Sequence, residues 1–101
     1  MSGTRLERVA AGRWRLGGPL TLASVPALVG EASRLVADGD DVELDLAGVD
    51  HSSSAGVALL LEWRERLHRD GRQLRLHNCP AALARIAEFS NVDGLLGLDR
   101  A

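Results

Sequence analysis

A strand pattern, a helix pattern and a second strand pattern follow one another in the middle of the chain, and this succession constrains the fold more than any other feature. The string VELDL, residues 42–46, alternates apolar and polar side chains, as a half-buried strand does. Helical apolar spacing follows over about residues 55–68 and ends before Gly71, and RQLRL, residues 72–76, predicts another strand. A helical crossover is the connection that parallel neighbouring strands require. The sequence therefore predicts an α/β domain.

The flanking segments add further elements to this unit. Residues 5–16 alternate apolar and polar side chains around Gly12 and predict two short strands joined by a turn. GGP, residues 17–19, is predicted to break the chain, and a helix capped by Ser24 follows it. Another helix is predicted to begin at Pro80. The order β-β-α-β-α-β-α predicts a mostly parallel sheet of four to five strands with helices packed on it, and the N-terminal strands should form one edge.

Length and composition fit a single domain and exclude several classes of function. The 101 residues, 46% of them hydrophobic, supply one core, so one domain is predicted over residues 1–101. A net charge of -2 offers no polybasic surface for nucleic acid or an anionic membrane. The chain has no apolar run long enough to cross a bilayer and its start lacks the apolar segment of a signal peptide, which together predict a cytoplasmic protein.

The spacing of the residues does not predict a metal site or a nucleotide-binding site. The candidate ligands Cys79, His77 and His51 lack spacings such as C-x-x-C or H-x-x-x-H. The glycine-rich motifs that cradle phosphates are also missing from the chain. We therefore predict that the protein uses neither a metal nor a cofactor.

The stretch DHSSSAG, residues 50–56, carries the candidate functional residues and admits three interpretations. A catalytic serine would need His51 within hydrogen-bond reach and Asp50 to orient the imidazole. Adjacent side chains on a turn rarely converge, however, and the stretch has no G-x-S-x-G elbow. A second interpretation is the start of a helix, where one serine suffices as the cap. A hydroxyl there also suits phosphorylation, because the helix dipole and unpaired N–H groups favour a phosphate.

The helix after the serines suggests the third interpretation, a docking surface. On a helical wheel the core stripe is formed by Val57, Leu60, Leu61 and Leu67, with Trp63 at its flank. Leu59 falls nearly opposite this stripe, on a face that the wheel predicts to be exposed to solvent. A single exposed leucine is common on protein surfaces. Next to Trp63 and the serine loop, Leu59 is compatible with a docking surface and equally with an ordinary exposed face.

The segment VELDLAGVDHSSSAGVALLLEW, followed by RDGRQLRL and the tail LARIAEFSNVDGLL, resembles the STAS domain, the fold of bacterial anti-sigma factor antagonists. Within that family the chain is most similar to the MlaB type, the STAS subunit of the Mla phospholipid ABC transporter, over about residues 41–98. The family pattern places an Asp and then a Ser or Thr at the helix start. Ser54 matches the hydroxyl position, whereas Ser53 stands where the Asp usually does.

The resemblance implies a non-catalytic, cytoplasmic subunit held peripherally on an inner-membrane transporter that maintains outer-membrane lipid asymmetry. Its partner would be the MlaF-like ATPase subunit, whose assembly and activity it supports. The residues expected to contact the partner are His51, Ser52, Ser53, Ser54, Ala55, Leu59 and Glu62, with Trp63 and Arg66 at the rim. The alternative is an anti-sigma factor antagonist that an anti-sigma factor kinase phosphorylates at Ser54, although Ser53 in the Asp position weakens that reading.

Overall fold

The computed structural model describes residues 4–98 and shows one mixed sheet with helices packed on it. The four strands lie in the order β1-β2-β3-β4, with β1 and β2 antiparallel and the two other pairs parallel. This arrangement confirms the predicted mostly parallel sheet with the N-terminal strands at one edge. The elements are β1 (Arg5–Ala10), β2 (Arg13–Pro19), α1 (Val25–Val29), α2 (Ala32–Ala37), β3 (Val42–His51), α3 (Ser54–Arg69), β4 (Leu74–His77) and α4 (Ala81–Phe89).

The helices cover one face of the sheet, and the alternation of the strand residues explains why. Trp14, Leu16 and Leu44 are buried on the helical side, whereas Arg15 and Glu43, next to them in sequence, lie on the other side. α3 is central in the helical layer because it packs against α1, α2 and α4. Within residues 4–98 the helices are all too short or too polar to cross a membrane.

Residues 17–19 do not break the chain, contrary to the prediction. They form the end of β2 and pair with β3, with Gly17 opposite Gly48. The two backbones approach closely there, since a Cβ added at Gly48 would lie 3.2 Å from the Gly17 Cα. The glycines therefore extend the strand pairing where a side chain would push the strands apart.

The helix predicted after Ser24 is two short helices, α1 and α2, separated at Gly30 and Glu31. Ser24 does not cap α1, because its hydroxyl is used elsewhere. The Ser24 Oγ donates to the Pro19 carbonyl oxygen at 2.6 Å and accepts from the Thr21 N–H at 2.9 Å. Ser24 thus fixes the loop between β2 and α1 rather than the helix end.

α3 presents a different face to the core from the one that the helical wheel predicts. Leu59 is 1% exposed and Trp63 is 0% exposed, so the prediction of Leu59 on a solvent face is wrong. Leu61, by contrast, is only half-buried. The reason is Gly56, which a hydrophobicity pattern does not count: Leu20 packs directly on it, and the core stripe is centred on Gly56, Leu60, Trp63 and Leu67 with Leu59 beside them.

Candidate functional site

The serine loop between β3 and α3 is fixed by the side chain of Ser53. Ser53 is the N-cap of α3, in an extended conformation, and its Oγ accepts the Ala55 N–H at 3.2 Å. The same hydroxyl donates its proton to the Leu20 carbonyl oxygen at 2.8 Å. One serine therefore caps the helix, as the second interpretation requires, and also ties the helix start to the loop after β2.

The loop after β2 lies beside the serine loop because Leu20 anchors it. The Leu20 N–H donates to the His51 carbonyl oxygen at 2.9 Å, and the Leu20 side chain is fully buried against Gly56. Two residues further on, Leu22 is 83% exposed. We call Leu22, His51, Ser52 and Ser54 together the serine-loop surface. It joins two chain segments that the fold holds in fixed positions.

The structure separates the predicted contact residues into three groups by exposure. His51, Ser54 and Glu62 are exposed, and Ser52, Ser53, Ala55 and Arg66 are half-buried. Leu59 and Trp63 are buried in the core and have no surface to offer a partner, so both are withdrawn from the predicted contact set. Ala58, one turn after Ser54, is exposed and continues the accessible strip of α3 towards Glu62.

Leu22 is the residue that sequence reasoning missed. It stands in PLTLAS, where one leucine follows another at a distance of two residues and neither periodicity nor capping distinguishes them. The side chain that the fold buries is Leu20, because the space above Gly56 receives it. The only sequence signal is an apolar residue in a short loop, which gains meaning once that loop is known to lie beside the serines.

The hydrogen bonds of the serine loop also bear on nucleophilic catalysis. The His51 Nδ1 lies 3.2 Å from the Asp50 Oδ1, and both side chains are exposed. The Ser53 hydroxyl proton points to the Leu20 carbonyl, so it is not directed at the imidazole. In the part of the chain that the structure describes, His51 forms no hydrogen bond with a serine. The residues are thus arranged differently from a nucleophile paired with its base.

The environment of Ser54 differs from the one assumed for a phosphate at a helix start. Ser54 is exposed as the first residue of α3, where the helix dipole favours negative charge. The N–H groups of Gly56 and Val57 already donate to the Ser53 carbonyl oxygen at 3.0 and 3.4 Å, and that of Ala55 to the Ser53 Oγ. A phosphate on Ser54 would therefore gain from the dipole without finding these three groups free.

A group of titratable side chains lies on the uncovered face of the sheet, around a depression of about 470 Å³. His77, and after it Arg75, hold the pKa of Glu43 below its usual range through hydrogen bonds. The Ala47 N–H and the Asn78 amide do the same for the pKa of Asp45. Both carboxylates accept hydrogen bonds from neighbouring residues. This arrangement indicates a hydrogen-bond network that stabilises the sheet.

The cysteine and histidines considered as metal ligands do not come together. Within residues 4–98, no group of three histidine, cysteine, aspartate or glutamate side chains is close enough to hold a metal ion. Cys79 is half-buried after β4, and its burial raises the pKa of the thiol. Cys79 therefore belongs to the packing of the turn before α4.

Comparison with protein-family models identifies the family to which the chain belongs. A family model described as "Mlab, STAS domain" matches residues 5–97. The chain belongs to the STAS domain family. The match confirms the resemblance noted in the sequence, including its MlaB-like character. No curated protein matches this STAS domain in sequence.

Solved structures with the same fold include two of one protein. The STAS domain is 21% identical to the anti-sigma factor antagonist SpoIIAA in its unphosphorylated form, with a TM-score of 0.72, over 91% of this chain and 84% of that one. The STAS domain is 19% identical to the Bacillus cell fate determinant SpoIIAA in the phosphorylated form, with a TM-score of 0.68, over 93% of this chain and 87% of that one. These likenesses confirm the predicted STAS fold.

A third similar structure is that of Mglu, a much longer protein. It is 25% identical to the STAS domain, with a TM-score of 0.57, over 76% of this chain and 19% of that one. The similarity concerns only a small part of Mglu. It therefore describes a shared fold and carries no activity to this chain.

Proposed function

We propose that this STAS domain is the non-catalytic STAS subunit of a Mla-type lipid-transport ABC complex, where it binds the cytoplasmic ATPase subunit and supports its assembly and activity in maintaining outer-membrane lipid asymmetry. The family model, which is described by the Mlab name and spans residues 5–97, supports this assignment. A STAS domain fits a role in protein–protein interaction, and the serine-loop surface is the site we assign to that contact.

The observation that carries the location is the exposed Leu22 in the loop whose Leu20 is hydrogen-bonded to His51 and Ser53, next in sequence to the exposed Ser54. Leu22 stands on the loop after β2 and Ser54 begins α3, and the Ser53 hydrogen bonds and the buried Leu20 hold these two segments together. A rigid surface loses little conformational entropy on binding, and an apolar side chain at its centre supplies the desolvated anchor. Ser54 and Ala58 are small, so a partner backbone can approach α3 closely.

The test is co-purification with an MlaF-like ABC ATPase subunit from the same organism, together with the ATPase rate of the complex. Leu22→Glu and Ser54→Arg should each abolish co-purification, because an anchor that binds as a hot spot contributes about 2 kcal/mol or more. The matched control is Phe89→Glu on α4, since Phe89 is 88% exposed and lies outside the serine-loop surface. Wild-type binding by both Leu22→Glu and Ser54→Arg would contradict the proposed surface.

A second candidate function is an anti-sigma factor antagonist switched by phosphorylation at Ser54. It is favoured by the exposure of Ser54 at the start of α3 and by the fold shared with SpoIIAA, whose structures include phosphorylated and unphosphorylated forms. Its partner would be an anti-sigma factor kinase. Incubation with the cognate kinase and ATP distinguishes the two functions: stoichiometric phosphate on the wild type and none on Ser54→Ala would favour the switch.

A further inference from the structure

A basic groove lies near the C-terminal end of α3, at the opposite end of that helix from the serine loop. It has a volume of about 460 Å³ and runs between α3, β4 and the turn at residues 94–97. Among residues 4–98, none of those that line it is acidic, although the whole chain has a net charge of -2. The basic side chains that line it are Arg64, His68, Arg72, Arg75 and His77.

One wall of the groove is the outer edge of β4, which pairs only with β3 among the described residues. The Gln73 carbonyl oxygen accepts the Val42 N–H at 2.8 Å, so the backbone of Gln73 points towards β3. Because successive residues of a strand direct their N–H and C=O groups to opposite edges, those of Leu74 and Leu76 point outward. The groove therefore contains the unpaired edge of a strand.

Some of the basic groups are already engaged, and others are free to act on a ligand. Arg72 contacts Asp70 and the Val36 carbonyl, and Arg75 lies 3.2 Å from the Glu43 carboxylate. Arg64 and His68, in contrast, have no ion pair or side-chain hydrogen bond within residues 4–98.

An apolar side chain stands beside these free cationic and imidazole groups. Leu95 lines the groove from the C-terminal turn and is 55% exposed. The wall formed by β4 therefore faces both basic and apolar side chains, which suits an acidic peptide that also carries an apolar residue.

We propose that this groove binds an acidic peptide in extended conformation, which adds as a strand to the outer edge of β4. The peptide backbone bonds the N–H and C=O groups of Leu74 and Leu76, its carboxylates face Arg64 and His68, and an apolar side chain contacts Leu95. β4 has four residues and so pairs with about 13 Å of extended chain. The groove and the serine-loop surface are separate, so this inference goes beyond the proposed function and does not depend on it.

The test is a titration of the ¹⁵N-labelled full chain with a blocked glutamate-rich peptide that carries one valine, about seven residues long, followed by amide chemical shifts. The amides of Leu74 and Leu76 should shift most, and those of residues 51–54 should stay unchanged. A peptide with lysine in place of glutamate should bind at least about tenfold more weakly, because it meets like charge. Methylation of the peptide N–H groups that face β4 should reduce affinity similarly, since a strand then loses its donors.

Two variants of the protein complete the experiment. Arg64→Glu should weaken binding of the glutamate peptide about tenfold by reversing a charge in the groove. Arg66→Glu is the matched control, with the same charge change on the same helix outside the groove, and should leave binding unchanged. The proposal would be overturned if the lysine peptide bound equally well or if N-methylation had no effect, since either result indicates a non-specific site. Displacement of the peptide by inorganic phosphate at millimolar concentration would also overturn it, in favour of a small-anion site.

Discussion

Ser53 shows how a single residue sets the geometry of the candidate site. Its hydroxyl accepts from the Ala55 N–H and donates to the Leu20 carbonyl oxygen, so it acts as cap and as crosslink at once. An aspartate, the residue that the family pattern usually has here, can cap a helix but its ionised carboxylate has no proton to donate. A carboxylate would also face the Leu20 carbonyl oxygen. A serine at position 53 therefore suits this chain, because its hydroxyl can donate to the carbonyl oxygen of Leu20 in the loop of residues 20–24.

Replacement of Ser53 should lower stability more than replacement of its exposed neighbour. Ser53→Ala removes the cap and the bond to Leu20, and we expect the free energy of unfolding to fall by about 1–2 kcal/mol. Ser53→Asp should keep the cap and still lose stability, because the donor to Leu20 is gone. Urea denaturation measures both. Ser54→Ala is the control and should change stability little; if it cost as much as Ser53→Ala, the role of Ser53 as crosslink would be wrong.

Gly56 has a steric role that a matched glycine elsewhere lacks. A Cβ at position 56 would lie 2.9 Å from the Leu20 Cβ, whereas one at Gly30 would meet no atom within 4 Å. Gly56→Ala should therefore destabilise the domain by about 1–2 kcal/mol even though alanine favours a helix. Gly30→Ala, at a right-handed helical backbone, should be neutral or stabilise by up to about 1 kcal/mol.

Thermal or urea unfolding of these two glycine variants gives the comparison directly. Adding Leu20→Ala to Gly56→Ala should cost less than the sum of the two single changes, because the truncated side chain keeps its Cβ but loses the Cδ1 and Cγ atoms that would lie 3.1 and 3.6 Å from the new methyl group. Additive costs, or a Gly56→Ala variant as stable as the wild type, would contradict the close packing of Leu20 on α3.

At the scale of elements, local patterns predicted the strands and helices well but not their contacts. The spacing in α3 gave nearly its observed limits, Ser54–Arg69, whereas the alternation over residues 42–46 gave only the first half of β3, which continues to His51. The wheel placed Leu59 outside because it gave no weight to Gly56, and only the tertiary contact with Leu20 makes that glycine part of the core face. The exposure of Leu22 depends on the same contact, so no local pattern could have predicted it.

Asp38 links three elements through one carboxylate at the end of α2. Its Oδ2 accepts the Gly12 N–H at 2.9 Å and the Trp14 indole N–H at 3.2 Å, and its Oδ1 accepts from Arg8 at 2.8 Å. The Gly12 N–H first, then the Arg8 and Trp14 bonds, lower the pKa of Asp38 below its ordinary value of 3.8. The charged carboxylate thus holds α2 to the hairpin of β1 and β2.

The lowered pKa of Asp38 predicts an acid dependence of stability. A carboxyl whose pKa is lower in the folded state contributes stability above its unfolded pKa and loses it as the pH falls through the folded pKa. Unfolding free energy should therefore fall below about pH 4, and Asp38→Asn should make this fall shallower. Urea denaturation from pH 7 to pH 2.5 measures it, with Asp40→Asn, an exposed neighbour, as control. A variant curve parallel to that of the wild type would contradict the link.

At the scale of the whole molecule, α3 connects two separate surfaces through one core. Its N-terminus contributes Ser54 to the serine-loop surface, and its C-terminal half contributes Arg64 and His68 to the basic groove. Between them, Leu60 and Trp63 pack in the same buried cluster as the strands. The two surfaces are thus held at fixed positions by a rigid helix, so that a partner at one end leaves the other end accessible.

A shared core also predicts that the chain unfolds as one unit. The buried cluster runs from Leu6 in β1 to Leu96 in the C-terminal turn, and the radius of gyration, 12.3 Å, is close to the ~13 Å typical of a compact domain of about 100 residues. We expect urea unfolding followed by tryptophan fluorescence, which reports on Trp14 beneath α2 and Trp63 within α3, to coincide with unfolding followed by far-ultraviolet circular dichroism, which reports on the helices. The Trp14→Phe and Trp63→Phe variants isolate each probe, and each fluorescence midpoint should match the circular dichroism midpoint of the same variant. Distinct midpoints for the sheet probe and the helix probe would show that the single domain predicted from length and composition is two units that unfold separately.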